Sequence, residues 1–141
     1  MNLLKTPLVC LPLLFSSTVF AANDCQTAKP MASPVIHLTV QALRLHKANA
    51  SYQEIAEWRT NTFNPEIEKI IEANTLPPSA CMDPDLEITR DVYNDVMMRS
   101  KIYVNMVYSY ARGNADKESV DEQRIMISDA YNKYVEKCTT K

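Results

Sequence analysis

An all-α protein, folded as an up-down four-helix bundle and stapled by a disulfide at one end, is what the sequence predicts, and three observations carry that expectation. The 141 residues hold one glycine against eight prolines, which disfavours strands and tight hairpins and marks helix boundaries repeatedly. Apolar residues recur three and four apart almost throughout, the spacing that gathers them on one face of a helix. The stretches between these patterns are short, so consecutive helices should be antiparallel neighbours.

The first 21 residues stand apart. MNLLKTPLVCLPLLFSSTVFA sets Lys5 before an apolar run from Leu8 to Phe15 and then small residues up to Ala21. That is the pattern of a secretory signal, so residues 1–21 are expected to be a signal peptide and 22–141 a single helical domain. A membrane anchor needs roughly 20 continuous apolar residues, and Pro12 and Ser16-Ser17-Thr18 break this run. No stable membrane insertion is expected after cleavage. Losing the signal leaves 14 basic and 17 acidic side chains, a formal charge of −3. With so mild a charge and no basic stripe, nucleic acid has no electrostatic footing. The expected location is secreted, in the bacterial periplasm, where thiols oxidise.

The first helix should begin at Ser33-Pro34, a cap residue followed by proline at the first helical position. Ile36, Val40 and Leu43 beside Val35, Leu38, Ala42 and Leu45 make a wide buried stripe, and the helix should fray near Lys47. The second starts at Ser51, with Glu54 completing a capping box. It is interrupted at Asn64-Pro65, because proline lacks a backbone donor and disfavours a helical residue before it. Segments 51–63 and 65–75 follow, with Ile67, Ile70 and Ile71 facing inward and Trp58 against the first helix.

The third helix opens at Asp83-Pro84 and runs to Arg112, roughly 43 Å of helix, with Gly113 placed for a left-handed C-cap. Met97, Val104, Val107 and Ala111 form one apolar row and Tyr103, Met106 and Tyr110 a second, so this helix should touch more than one neighbour. The fourth, 117–138, carries Val120, Ile127, Tyr131, Tyr134 and Cys138 on one stripe.

In that topology Cys25, Cys81 and Cys138 share one end of the bundle. Three mature cysteines make one intramolecular pair and leave one thiol over, available to join two chains as a homodimer or to stay buried. The pair Cys81 with Cys138 ranks first, worth roughly 4 kcal/mol by loop closure. Cys25 with Cys81 and Cys25 with Cys138 stay open.

Most catalytic chemistries are excluded. One glycine cannot build a phosphate loop or a dinucleotide turn, and no G-x-S-x-G, C-x-x-C-H, H-E-x-x-H or Glu-x-x-His pattern occurs. His37 and His46 lie nine residues apart, about 180° around a helix, and cannot chelate one ion. The column Glu87, Asp91, Asp95 and Arg99 suits a helix macrodipole and an ordinary i, i+4 pair. No catalytic residue, metal or cofactor is therefore expected, and the protein should not be an enzyme.

One feature exceeds the needs of a core: six of the seven tyrosines fall in the C-terminal hairpin. Tyr103 and Tyr110 share a face with Met106, flanked by Arg99 and Arg112, the composition of protein-binding hot spots. A tyrosine-rich core with hydroxyls at its rim is the plainer account of the same residues. The function expected is protein binding, as an inhibitor or immunity protein against a toxin or cell-wall hydrolase. The alternatives are a small-ligand, metal or haem-binding bundle using Met97, Met106 and His37, or a structural or chaperone-like envelope protein.

Overall fold

The first helix, α1, begins earlier than its prolines suggest. The computed structural model describes residues 18–73 and 92–139, and all regular structure in them is helical, with no strand. Here α1 spans Thr18–Lys47, so Ser33-Pro34, the expected start, lies inside it. Ala32, two residues before Pro34, is already fully buried, and Val35, Leu38 and Ala42 continue that row. Pro34 itself is exposed, where water can serve the carbonyl that loses its donor. Packing on the opposite face therefore carries the helix through the proline. Val40, expected in the buried stripe, is 37% exposed.

Rather than fraying, α1 closes with a cap. Asn49 takes a left-handed φ of 53°; its N–H donates to the His46 carbonyl, and that of Ala50 to the Leu45 carbonyl. These two bonds are the Schellman pattern, with asparagine where glycine is commoner. Arg44, His46 and Lys47 occupy the last turn and favour the negative end of the dipole.

The second helix starts as expected: α2 spans Tyr52–Trp58, and Ser51 and Glu54 form a reciprocal capping box. The backbone and hydroxyl of Ser51 both donate to Glu54 Oε2, at 2.7 and 2.8 Å, and hold that carboxyl below its usual range. The interruption at Asn64-Pro65 takes the form of a π-helical turn, Arg59–Phe63, followed by α3, Asn64–Ala73. The Asn64 N–H donates to the Arg59 carbonyl, five residues back. Widening the ladder just before Pro65 relieves the crowding its ring would meet in an α-helix. Ile67 and Ile70 are buried, Ile71 is half-buried, and Trp58 Nε1 donates to Gln41 Oε1 of α1 at 3.0 Å.

A second π-helical turn, Val92–Met97, leads into α4, Met98–Ala111. The expected start at Asp83-Pro84 lies outside the described residues. Gly113, at φ 77°, closes α4 with its N–H on the Tyr110 carbonyl and that of Asn114 on the Ser109 carbonyl, both 2.9 Å. The last helix, α5, spans Lys117–Thr139, and Asp116 caps it by accepting from the Ser119 N–H at 2.7 Å.

Helix α4 packs against α5, α1 and α2; its leading π turn touches α1 and α5; α3 leans on α1. The core sits at these crossings, with Val35, Ile55, Val96, Tyr103, Val107 and Val120 almost wholly buried. One polar pair lies within it: Thr39 Oγ1 and Ser100 Oγ are 2.6 Å apart. The Thr39 hydroxyl donates its only proton to the Val35 carbonyl at 2.9 Å, so Ser100 must be the donor between them. Cys81 lies outside the described residues; Cys25 and Cys138 fall within the α1 and α5 backbones, their side chains outside the description. Among the described residues no helix is long and apolar enough to cross a membrane.

Candidate functional site

The expected partner face does not hold together as drawn. Tyr103 is fully buried, because Ser100, Tyr103, Val104 and Val107 share the side of α4 that α1 and α5 cover. It belongs to the core, and this corrects its assignment to a contact surface. Met106 and Tyr110 are half-buried against the core, Tyr110 meeting the His46 ring edge-on at 5.1 Å and 78°. Arg112 is exposed. Arg99 lies 4.0 Å from Asp95 in the i, i+4 pair its spacing implies.

A different constellation sits on the side of α4 toward the second helix. The Arg59 guanidinium lies 4.6 Å from the centre of the Tyr108 ring and that of Arg112 lies 5.7 Å from it. Arg59 Nη2 donates to Asn105 Oδ1 at 2.5 Å, while its Nε is buried with no hydrogen-bond partner. Tyr108 and Arg112 meet because they are four apart on one helix. Arg59 comes from the end of α2, its N–H still on the Ile55 carbonyl four residues back, where that helix packs against α4. Among the described residues the ion pairs are Lys69–Glu66, Arg99–Asp95 and Arg124–Asp121, so neither stacked arginine has a carboxylate. No family model, curated protein or solved structure matches the chain.

On another side, a cavity of about 220 Å³ opens between α1, α4 and α5, lined by Ile36, Val40, Leu43, Tyr103, Ile127 and Tyr131 among others. Its wall is mainly apolar. The Tyr103 hydroxyl is buried without a partner, and leaving such a group unmet costs about 1–3 kcal/mol. Burial pushes this phenol up to about 12, with Arg124 pulling it back and Asp121 pushing it further. Leu43 and Arg124 also line a polar recess of about 630 Å³ that adjoins the cavity and contains His46, Lys47, Lys117 and Asp121. Burial holds His46 below its ordinary value; Asp121 opposes this and Lys117 adds to it.

Among the described residues no group of three His, Cys, Asp or Glu side chains gathers where it could hold a metal ion. His37 is exposed, Met97 is buried and Met106 is half-buried.

Proposed function

We propose that the protein acts by binding another protein outside the cytoplasm, as an inhibitor or immunity protein against a toxin or cell-wall hydrolase. The supporting observation is the Arg59–Tyr108–Arg112 stack. Two guanidiniums are held over one aromatic ring with no carboxylate among the described residues to neutralise them. An arginine already ordered by a ring loses less side-chain freedom on meeting a carboxylate, and its planar fork suits that group. The partner surface should therefore be acidic. In this reading the chain is an up-down four-helix bundle, secreted under residues 1–21 and stapled at the cysteine end. Asn105, bonded to Arg59, extends the stack along α4, whereas Met106, Tyr110 and Arg99 lie on the opposite side of that helix from Tyr108 and fall outside this surface.

The test is capture of a partner from periplasmic and neighbouring-cell extracts by the purified protein, followed by affinity measurement with variants. Arg112→Glu and Tyr108→Ala should each weaken the complex tenfold or more, with the circular dichroism melt of the free protein little changed. A captured hydrolase or effector that binds both variants normally would overturn this surface, and capture of nothing specific would overturn the reading. A second reading, binding of a small ligand, is favoured by the cavity beside Tyr103.

A further inference from the structure

We infer that the polar recess between the end of α1 and the start of α5 is a binding site for a small phosphate monoester. Its phosphoryl group would sit among Lys47, Lys117 and Arg124, and its organic part against Leu43 and Tyr110. This site is separate from the stack on Tyr108 and does not depend on the partner reading.

Two helix ends frame the recess. Asn49, at φ 53°, turns the chain just after α1 ends at Lys47, and α5 begins at Lys117 behind its Asp116 cap. The space between them is about 630 Å³, within the roughly 300–1,000 Å³ of small-molecule sites. His46 and Tyr110, packed edge-on at 5.1 Å, line it together with Leu43. Two rings and one aliphatic side chain thus form the uncharged part of the wall, a surface suited to a compact organic group.

Charge selects the rest of the ligand. Lys47, Lys117 and Arg124 share the lining with one carboxylate, Asp121, an excess of two positive charges on a chain whose formal net charge is −2. Among the described residues neither lysine enters an ion pair, and Arg124 Nε reaches Asp121 Oδ1 at 3.4 Å in a half-exposed contact that leaves the guanidinium able to serve a second anion. The negative end of the α1 dipole and the positive end of the α5 dipole meet here and oppose each other, so the side chains set the sign. Burial holds His46 below its ordinary value, so at neutral pH it adds a hydrogen-bonding ring and no further charge. A phosphate monoester carries about −2 at neutral pH on three acceptor oxygens, which balances that excess. A singly charged carboxylate or sulfate ester would leave one cation unmet.

Phenyl phosphate serves as the probe in calorimetric titrations of the purified protein near neutral pH. It should bind with a Kd below about 1 mM, and both phenyl sulfate, with the same ring and one charge, and inorganic phosphate, without the ring, about tenfold more weakly. Lys117→Gln and Arg124→Gln, both at exposed positions, should each weaken phenyl phosphate about tenfold. Lys133→Gln, also exposed and about 24 Å along α5 from Lys117, should leave its affinity unchanged. On the unaltered protein, the ring resonances of His46 should move as phenyl phosphate is added while those of His37, exposed nine residues earlier on α1, stay in place. Failure of phenyl phosphate to bind, an equal loss in Lys133→Gln, phenyl sulfate or inorganic phosphate binding as tightly, or a His46 ring that does not respond would each overturn the inference.

Discussion

Tyr103 concentrates the conflict between packing and polarity in this protein. Its ring is wholly enclosed, yet its hydroxyl has no partner, so the side chain contributes apolar burial while retaining an unmet donor. Tyr103→Phe should keep the packing and remove the unmet group, leaving the free protein as stable as before or up to about 1 kcal/mol more stable in urea denaturation. The pH dependence has a definite sign. The folded phenol titrates at about 12 against an ordinary 10.0, so folding favours the neutral form. That contribution is complete below about pH 10 and is lost as pH rises toward 12. In an alkaline absorbance titration the last tyrosine to ionise should be this one, and the late phase should vanish in Tyr103→Phe; a late phase that persists would assign the shifted phenol elsewhere. The sequence put Tyr103 on the correct helical row but could not show that two helices close over it. Periodicity finds faces, whereas the depth of a face is set by neighbours distant in the chain.

At the scale of elements, local chemistry was legible and tertiary override was not. The Ser51/Glu54 capping box and the C-cap at Gly113 depend on a few adjacent residues, and both stand where spacing placed them. The extension of α1 through Pro34 responds to packing elsewhere in the fold, so a boundary drawn from that proline alone stopped short. The Tyr108 stack was missed for the same reason. Tyr108 and Arg112 can be read at i, i+4, but Arg59 arrives from a separate helix packed on α4, which no spacing rule anticipates. The caps allow a direct test. Gly113 sits at φ 77° with open space around the position of a Cβ, so an added methyl meets no neighbour and the penalty is conformational. Gly113→Ala should cost about 1 kcal/mol in chemical denaturation, and Gly113→Asn less, since asparagine already serves the equivalent position at Asn49. A neutral Gly113→Ala would mean the α4–α5 turn relaxes out of the left-handed conformation.

For the whole molecule, the relative direction of α1 and α5 bears on the cysteines. Ile36 and Tyr131 line the same cavity, and Lys47 and Lys117 line the recess beside it. Moving back along α1 thus means moving forward along α5, and the two helices are antiparallel. Cys25 lies 22 residues before Lys47 and Cys138 lies 21 after Lys117; at 1.5 Å per residue both fall about 32 Å beyond that recess. Equal rise along adjacent antiparallel helices brings the two positions to the same level. Composition and topology alone ranked Cys81 with Cys138 first, but the helix lengths favour Cys25 with Cys138, leaving Cys81 as the spare thiol. Peptide mapping under non-reducing conditions should recover a Cys25–Cys138 link, and reduction should then cost roughly 4–5 kcal/mol, the loop-closure value for a ring of more than a hundred residues. A Cys81–Cys138 link would show instead that the segment between α3 and α4 folds back to the end of α5, and the smaller ring would lower the expected loss to about 4 kcal/mol. With Cys81 unpaired, a covalent dimer on a non-reducing gel should disappear in Cys81→Ser and persist in Cys25→Ser, which leaves the Cys81 thiol in place.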